Sequence, residues 1–387
     1  MRMKKFLILA AVVAMSVACS KTYEVKPVSQ DGRQIGFGTW AESLTRADDP
    51  HLTNTWVDGD TFAIFGCKED NMEADGTTPI SPVVKKDAFT GQTVTYTASS
   101  TSWDYTPHRF WDVNCERYTF FAFSPSSLFN ASADTTNTAK TGRFTSAVLT
   151  FSGANNDILV ADRKVVDRGN NPATYFASYG AVAFQFNHIA SLFDLKVKKT
   201  NTITATVAVT SVSLTNMDAT GTFSVSDAYD ATVYNGATGL SPVVTWTPTA
   251  QATYTNASGV GDPVTLPTNV TGVATIDNST ATTGDALISN LIIMPQTLRN
   301  DSNIQTLNLT YTITPEGGDV TTNTVAIPLY NFDIDHNTSN SGTAVDEHKF
   351  LTGKHYTFYV TLDAHAITFT ATINDWTTGV GYYYLMN

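Results

Sequence analysis

Seven histidines, three cysteines and one Asp-rich loop are the residues of this 387-residue chain best suited to chemistry. His51, His108, His188, His336, His348, His355 and His365 are scattered, and no HExxH, GxSxG, GxGxxG or P-loop pattern accompanies them. His188 ends an apolar run and could act as a base; the simpler reading is a core histidine hydrogen-bonded to nearby backbone. Asp333, Asp335 and Asn337 have the D-x-D-x-N spacing that opens a calcium loop. The glycine at the sixth position and the bidentate Glu at the twelfth are missing, so the stretch reads as a solvated loop. Cys19, Cys67 and Cys115 form no CxxC pair, which argues against structural zinc. Trp103, Tyr105, Trp111 and Trp246 could stack on sugar rings, with core packing as the safer reading. No nucleophile or acid–base constellation is legible, so an enzyme is not expected, nor a metal or cofactor.

Cys19 belongs to a different chemistry. Arg2, Lys4 and Lys5 precede the apolar stretch Phe6 to Met15, and Ser16-Val17-Ala18 leads into Cys19. The apolar stretch is too short for a permanent span and reads as an export signal. Small residues before a cysteine resemble a bacterial lipobox, in which Cys19 is lipid-modified and becomes the new N-terminus. A plain secretory signal with Cys19 incidental is the alternative. The exported chain would live where disulfides are permitted, so Cys67 and Cys115 could pair or stay separate buried thiols.

The elements behind these residues are strands. Charged residues make up 15% of the chain and apolar residues 42%, enough for a sizeable core. Roughly one residue in six is threonine, which with Val, Tyr and Phe favours pleated structure. Thr61 to Gly66 and Tyr118 to Phe123 read as buried strands. Val94 to Thr97, Val182 to His188, Leu192 to Lys198, Ile203 to Leu214, Thr222 to Val225, Leu307 to Thr314, Tyr356 to Leu362 and Ile367 to Ile373 alternate or run apolar. Turn signals recur between them, so the chain reads as all-β with sandwich architecture. The loop at 165–180 is the expected domain boundary. The net charge of −12 leaves no basic footprint for nucleic acid.

Two segments are apolar where polar sequence is usual. Gln34 to Trp40 places Ile35 and Phe37 on one face and is expected to be the first strand, with both side chains in the core. Near the C-terminus Val380, Tyr382, Tyr384 and Met386 share one face of a strand-like tail. That tail either completes the sheet of its own domain or serves as a strand for another molecule.

Several motifs in order resemble the Bacteroidetes fimbrillin family, the FimA/Mfa-like pilins. They are the lipobox at Cys19, Ile35-Gly36-Phe37, Thr45-Arg46-Ala47, and Trp56 to Phe65. Tyr118 to Pro125, Asp157 to Ala161, Phe184 to Ser191, Ile293 to Gln296, Gly353 to Tyr356 and Ile373 to Trp376 complete the set. The resemblance implies two tandem transthyretin-like β-sandwich domains behind a lipoprotein signal peptide. The expected division is 1–18 signal, 19–46 lipidated pro-segment with the first strand, 47–178 N-terminal sandwich and 179–387 C-terminal sandwich. It implies a fimbrial subunit, held in the outer membrane through lipid on Cys19 and then carried into a cell-surface fimbrium. Other fimbrial subunits would be its partners in a head-to-tail polymer that supports adhesion. An arginine-specific protease would cut between Arg46 and Ala47, the strand bearing Ile35 and Phe37 would leave, and Val380, Tyr382, Tyr384 and Met386 would belong to the donor strand. The alternative is a surface lipoprotein or tip adhesin that binds glycans or host proteins without polymerising.

Overall fold

Within the strands Thr61–Met72 and Cys115–Ser124, Phe62 to Cys67 and Phe120 to Phe123 are buried on both faces, which is why these stretches read as nearly unbroken apolar runs. In the computed structural model they lie side by side, antiparallel, with Phe65 opposite Phe121 and Ile64 opposite Ala122. Successive side chains of a strand point to opposite faces. Phe62, Ile64, Phe120 and Ala122 therefore enter one core, while Ala63, Phe65, Phe121 and Phe123 enter another. Gly66 sits where a Cβ would lie 2.9 Å from the Phe120 ring, so only glycine fits. The structure describes residues 34–40, 56–72, 79–112, 115–129, 137–151, 157–168, 181–200, 203–226, 243–255, 264–265, 274–275, 285–332, 348–362 and 367–375.

These two strands are the middle of the first sheet. Its order is Phe37–Trp40, Val182–His188, Leu159–Ala161, Cys115–Ser124, Thr61–Met72, Pro79–Thr97, Ser102–Asp104, with Lys164–Asp167 also paired to Cys115–Ser124. The sheet curls until its ends meet. Trp103 on one end strand donates its indole N–H to Thr39 Oγ1 on the other at 3.2 Å. The enclosed core is strongly aromatic, holding Phe37, Phe62, Phe89, Trp111, Tyr118 and Phe184 among others.

A second pair of sheets forms a sandwich. One has the order Asp285–Ile293, Ser191–Lys199, Lys354–Leu362, Ile367–Asp375. The other runs Val264–Thr265, Val243–Thr255, Thr206–Ser226, Thr306–Thr314, Thr321–Pro328. Phe193, Leu195 and Val197 from the first sheet meet Val207, Val209, Val212 and Leu214 from the second in a common core.

The 21-residue strand Thr206–Ser226 ties the halves together. Its start lies in the sandwich core. Its end carries Phe223 and Val225 into a middle core with Phe65, Phe123 and Phe144. Arg143–Thr145 and Leu149–Thr150 pair with that same end. On either side of the expected boundary at 165–180 the strands belong to one sheet, since Lys164–Asp167 pairs with Cys115–Ser124 and Val182–His188 pairs with Leu159–Ala161. The chain changes sheets at Ile189 and Ala190, beside Gly353, whose N–H reaches the Ala190 carbonyl at 2.9 Å. Gly353 has φ +69, and a Cβ there would lie 2.9 Å from the His188 carbonyl oxygen.

The first-strand groove as candidate functional site

Ile35 and Phe37 are 1% and 3% exposed, as their alternation implies. Phe37–Trp40 is a strand, and Gln34 adds an isolated bridge to Phe110. The strand lies parallel to Val182–His188 in a four-residue register, Phe37 facing Val182 and Trp40 facing Gln185. Short edge strands are the weakest-held members of a sheet, since one side lacks a full ladder.

The side chains compensate for the short ladder. The Phe37 ring is 5.3 Å from both Phe89 and Tyr105, 5.9 Å from Phe120 and 6.1 Å from Phe184, centroid to centroid. The backbone is satisfied from both sides. The Ile35 N–H donates to the Arg109 carbonyl at 2.9 Å, and the Val182 N–H donates to the Gly36 carbonyl at 2.8 Å. The Tyr105 hydroxyl donates to the Ile35 carbonyl at 2.7 Å. Burial pushes the Tyr105 phenol up to about 12, so it keeps its proton, and its role as donor, well above neutrality.

Chemically this is a slot for one extended segment. It offers backbone partners at both walls and deep apolar pockets at alternate positions, the requirements of strand addition. The sequence pattern points to Ile35 and Phe37 but not to the opposite wall. Tyr105 to Trp111 has no strand alternation; its density of aromatic residues is the signal that could have marked it.

The other candidates are placed as follows. Cys19, Arg46, Ala47, Val380, Tyr382, Tyr384 and Met386 lie outside the described residues, as does the loop from Asp333 to Asn337. Cys67 and Cys115 are buried free thiols. They occupy different cores, on opposite faces of the first sheet. Burial raises their pKa values to about 11 and about 12. His188 is buried with Nδ1 2.7 Å from Asp157 Oδ1, a carboxylate partner where backbone was expected. His355 Nε2 is 2.9 Å from Asp194 Oδ2 in the same manner. Asp70, Asp112 and Cys115 come together closely enough to hold a cation. Lys68 already engages Asp112, and Lys86 reaches Asp70 at 2.5 Å, so their charge is met by lysines. Trp103, Tyr105 and Trp111 are buried, and Trp246 donates its indole N–H to the Ile189 carbonyl at 3.1 Å. These aromatics are packing groups.

No curated protein sequence matches the chain. Solved structures similar to it include a fimbrial protein from Bacteroides vulgatus, with 17% identity, 89% of this chain and 99% of that chain covered, and a TM-score of 0.43. A fimbrilin (FimA) from Porphyromonas gingivalis has 7% identity, coverage of 89% and 97%, and a TM-score of 0.41. The tip fimbrial protein Mfa3 from Porphyromonas gingivalis has 10% identity, coverage of 89% and 100%, and a TM-score of 0.35. The sequence profile of the fimbrillin-like family matches residues 45–376, most of the chain, and the protein belongs to that family.

Proposed function

We propose that this protein is a fimbrial subunit whose first strand is a removable plug, exchanged for a strand of another subunit during assembly. Family membership carries a non-enzymatic fimbrial or adhesion role, association with other fimbrial subunits and a place in a cell-surface fimbrium. The observation that supports strand exchange is the seating of residues 34–40. Ile35 and Phe37 are buried among aromatic rings, yet the strand is short, parallel and at the edge of its sheet.

The proposed order of events begins with export on the signal 1–18 and lipid attachment at Cys19 in the outer membrane. An arginine-specific protease then cuts between Arg46 and Ala47. Exposed polar connections are the usual sites of such cuts. The cut falls between the first strand and Thr61–Met72, so it disconnects Ile35 and Phe37 from the rest of the fold. Their departure opens a groove that a second copy can fill. The contact is head-to-tail, so it propagates instead of closing. We assign the incoming strand to the segment of Val380, Tyr382, Tyr384 and Met386. In this reading the first sandwich extends to His188, past the expected boundary at 178, because Val182–His188 is the neighbour of the leaving strand.

Deleting residues 379–387 tests this order. The expected result is a folded, exported and cleavable monomer that forms no long fibres by electron microscopy. Fibres of normal length would remove the tail from the account. A persistently monomeric cut wild-type product that binds glycans would favour the adhesin role instead.

A further inference from the structure

The first strand covers only part of the edge it lies on. Phe37–Trp40 pairs with Val182 to Gln185, while its partner strand runs on to His188. Backbone N–H groups two residues apart in a strand point the same way. The Val182 N–H reaches the Gly36 carbonyl, and the Ile189 N–H reaches the Ile158 carbonyl on the other side. Phe186 therefore presents its backbone to the first-strand side, as Val182 does, one residue past the end of the register. Side chains follow the same parity. Thr39 lies opposite Phe184, so a residue two further along an extended strand would lie opposite Phe186 and point to the same face.

Two tryptophans line that end of the groove. Trp56 packs edge-on against Trp103 at 4.9 Å and against Phe186 at 5.4 Å, centroid to centroid. Their indole N–H groups fare differently. Trp103 donates to Thr39 Oγ1, on the first strand itself. The Trp56 N–H is buried and, among the described residues, has no acceptor. Such a donor has given up water and gained nothing, which folded proteins seldom tolerate. In this chain the residue two past Thr39 is Ala41, a side chain with no acceptor to offer.

We infer, on the strand-exchange reading above, that Trp56 is a specificity-determining residue for the incoming strand. That strand runs past the position of Trp40 and places a side-chain hydroxyl opposite Phe186, where the Trp56 N–H can donate to it. Trp103 and Thr39 already show this pairing one step earlier in the groove. The occupant is the segment of Val380, Tyr382, Tyr384 and Met386. Its shared face holds two phenol hydroxyls, and no charged residue occurs from Thr377 to Asn387. Exchange then meets a donor that the precursor leaves unmet, which gives the replacement a direction.

The experiment uses full-length wild-type and Trp56→Phe chains, before and after mild cleavage by an arginine-specific protease. A labelled synthetic peptide of residues 379–387 is the probe, read by fluorescence anisotropy. Before the cut, Trp56→Phe should melt no lower than wild type and leave hydrogen exchange at residues 35–40 unchanged, because the donor it removes has no acceptor. After the cut it should bind the peptide about fivefold more weakly, the worth of one hydrogen bond. Of two peptides carrying Tyr382→Phe or Tyr384→Phe, one should lose the same factor on the wild type and nothing further on Trp56→Phe. Equal affinity of the two cut chains for the unchanged peptide overturns the role of Trp56, as does a loss that neither tyrosine shares. A lower melt with faster exchange at 35–40 in uncut Trp56→Phe overturns it as well, by making the residue a core group alone. A cut wild-type chain that binds no peptide is a separate result: it overturns the strand-exchange reading and this role with it.

Discussion

The first core and the sandwich core are built from different side chains. Among the described residues, nine of the sixteen buried groups in the first core are aromatic, against six of twenty-six in the sandwich core. The strands differ in the same direction. The sandwich is threaded by the 21-residue strand Thr206–Ser226, which pairs with Thr306–Thr314 over residues 206–215 and with Val243–Thr255 over residues 213–226. The first core is closed by a strand of four residues. Many aliphatic contacts from a central strand make a core that opens only when everything unfolds. A few large rings around a four-residue edge strand make one that, in the proposed function, is well seated but separable. Burying Ile35 and Phe37 is worth roughly 3–6 kcal/mol at ~1.5–3 each. That is enough to keep an uncut precursor closed, and small enough to be exceeded by a longer strand with more pockets filled.

Three substitutions and one pH series sharpen this contrast. The largest effect belongs to the sandwich. Phe358 is fully buried, with its ring 4.4 Å from Phe332 and 4.9 Å from Phe193. Phe358→Ala should cost about 3–5 kcal/mol and lower the global melt. Phe37→Ala should cost about 3 kcal/mol, near the low end of the same range, because an edge site can partly collapse. Its effect should be local: hydrogen exchange at residues 35–40 accelerates while Thr206–Ser226 stays protected. Equal acceleration in both segments would break the distinction.

Both described thiols lie in the N-terminal half. Burial raises Cys67 from 9.0 to about 11 and Cys115 from 9.0 to about 12. Above pH 9 the unfolded chain releases protons that the folded chain keeps. Stability is therefore complete below pH 9 and declines as pH rises toward the folded values. For Cys67 the loss is about 3 kcal/mol at ~1.4 per unit. Thermal melts from pH 8 to 11 should show the decline, and Cys67→Ala should flatten part of it. The smallest of these effects is Trp103→Phe. It removes the donor to Thr39 Oγ1 and part of a buried ring, and should cost about 1–2 kcal/mol. Exchange at residues 37–40 reads it, with the sandwich unchanged.

Much of the fold was legible because both faces of key strands are buried or strictly alternating. Thr61 to Gly66, Tyr118 to Phe123 and Leu192 to Lys198 are strands where their patterns place them. Pro79–Thr97 was legible only at its end, Val94 to Thr97, because its exposed stretch carries Lys85, Lys86 and Asp87 without apolar alternation. Ile203 to Leu214 and Thr222 to Val225 read as separate pieces. The structure joins them in one strand, whose small residues at Asp218 to Gly221 sit at register shifts. The burial of Ile35 and Phe37 could be read from period 2. The wall that receives them could not, because Tyr105 acts through its hydroxyl and Arg109 through its backbone carbonyl, contacts that leave no periodic trace.

We propose that release of the first strand licenses assembly and that a cut after Arg46 frees it. Arg46→Ala is expected to remove the cut without unfolding the chain, which a thermal melt of the uncut protein checks. Wild type and Arg46→Ala chains, each incubated mildly with an arginine-specific protease, are compared on denaturing gels and by electron microscopy. The account predicts a ladder and fibres from the wild type and only monomer from Arg46→Ala. Fibres from both, or a wild-type chain cut after Arg46 that stays monomeric at high concentration, would contradict it.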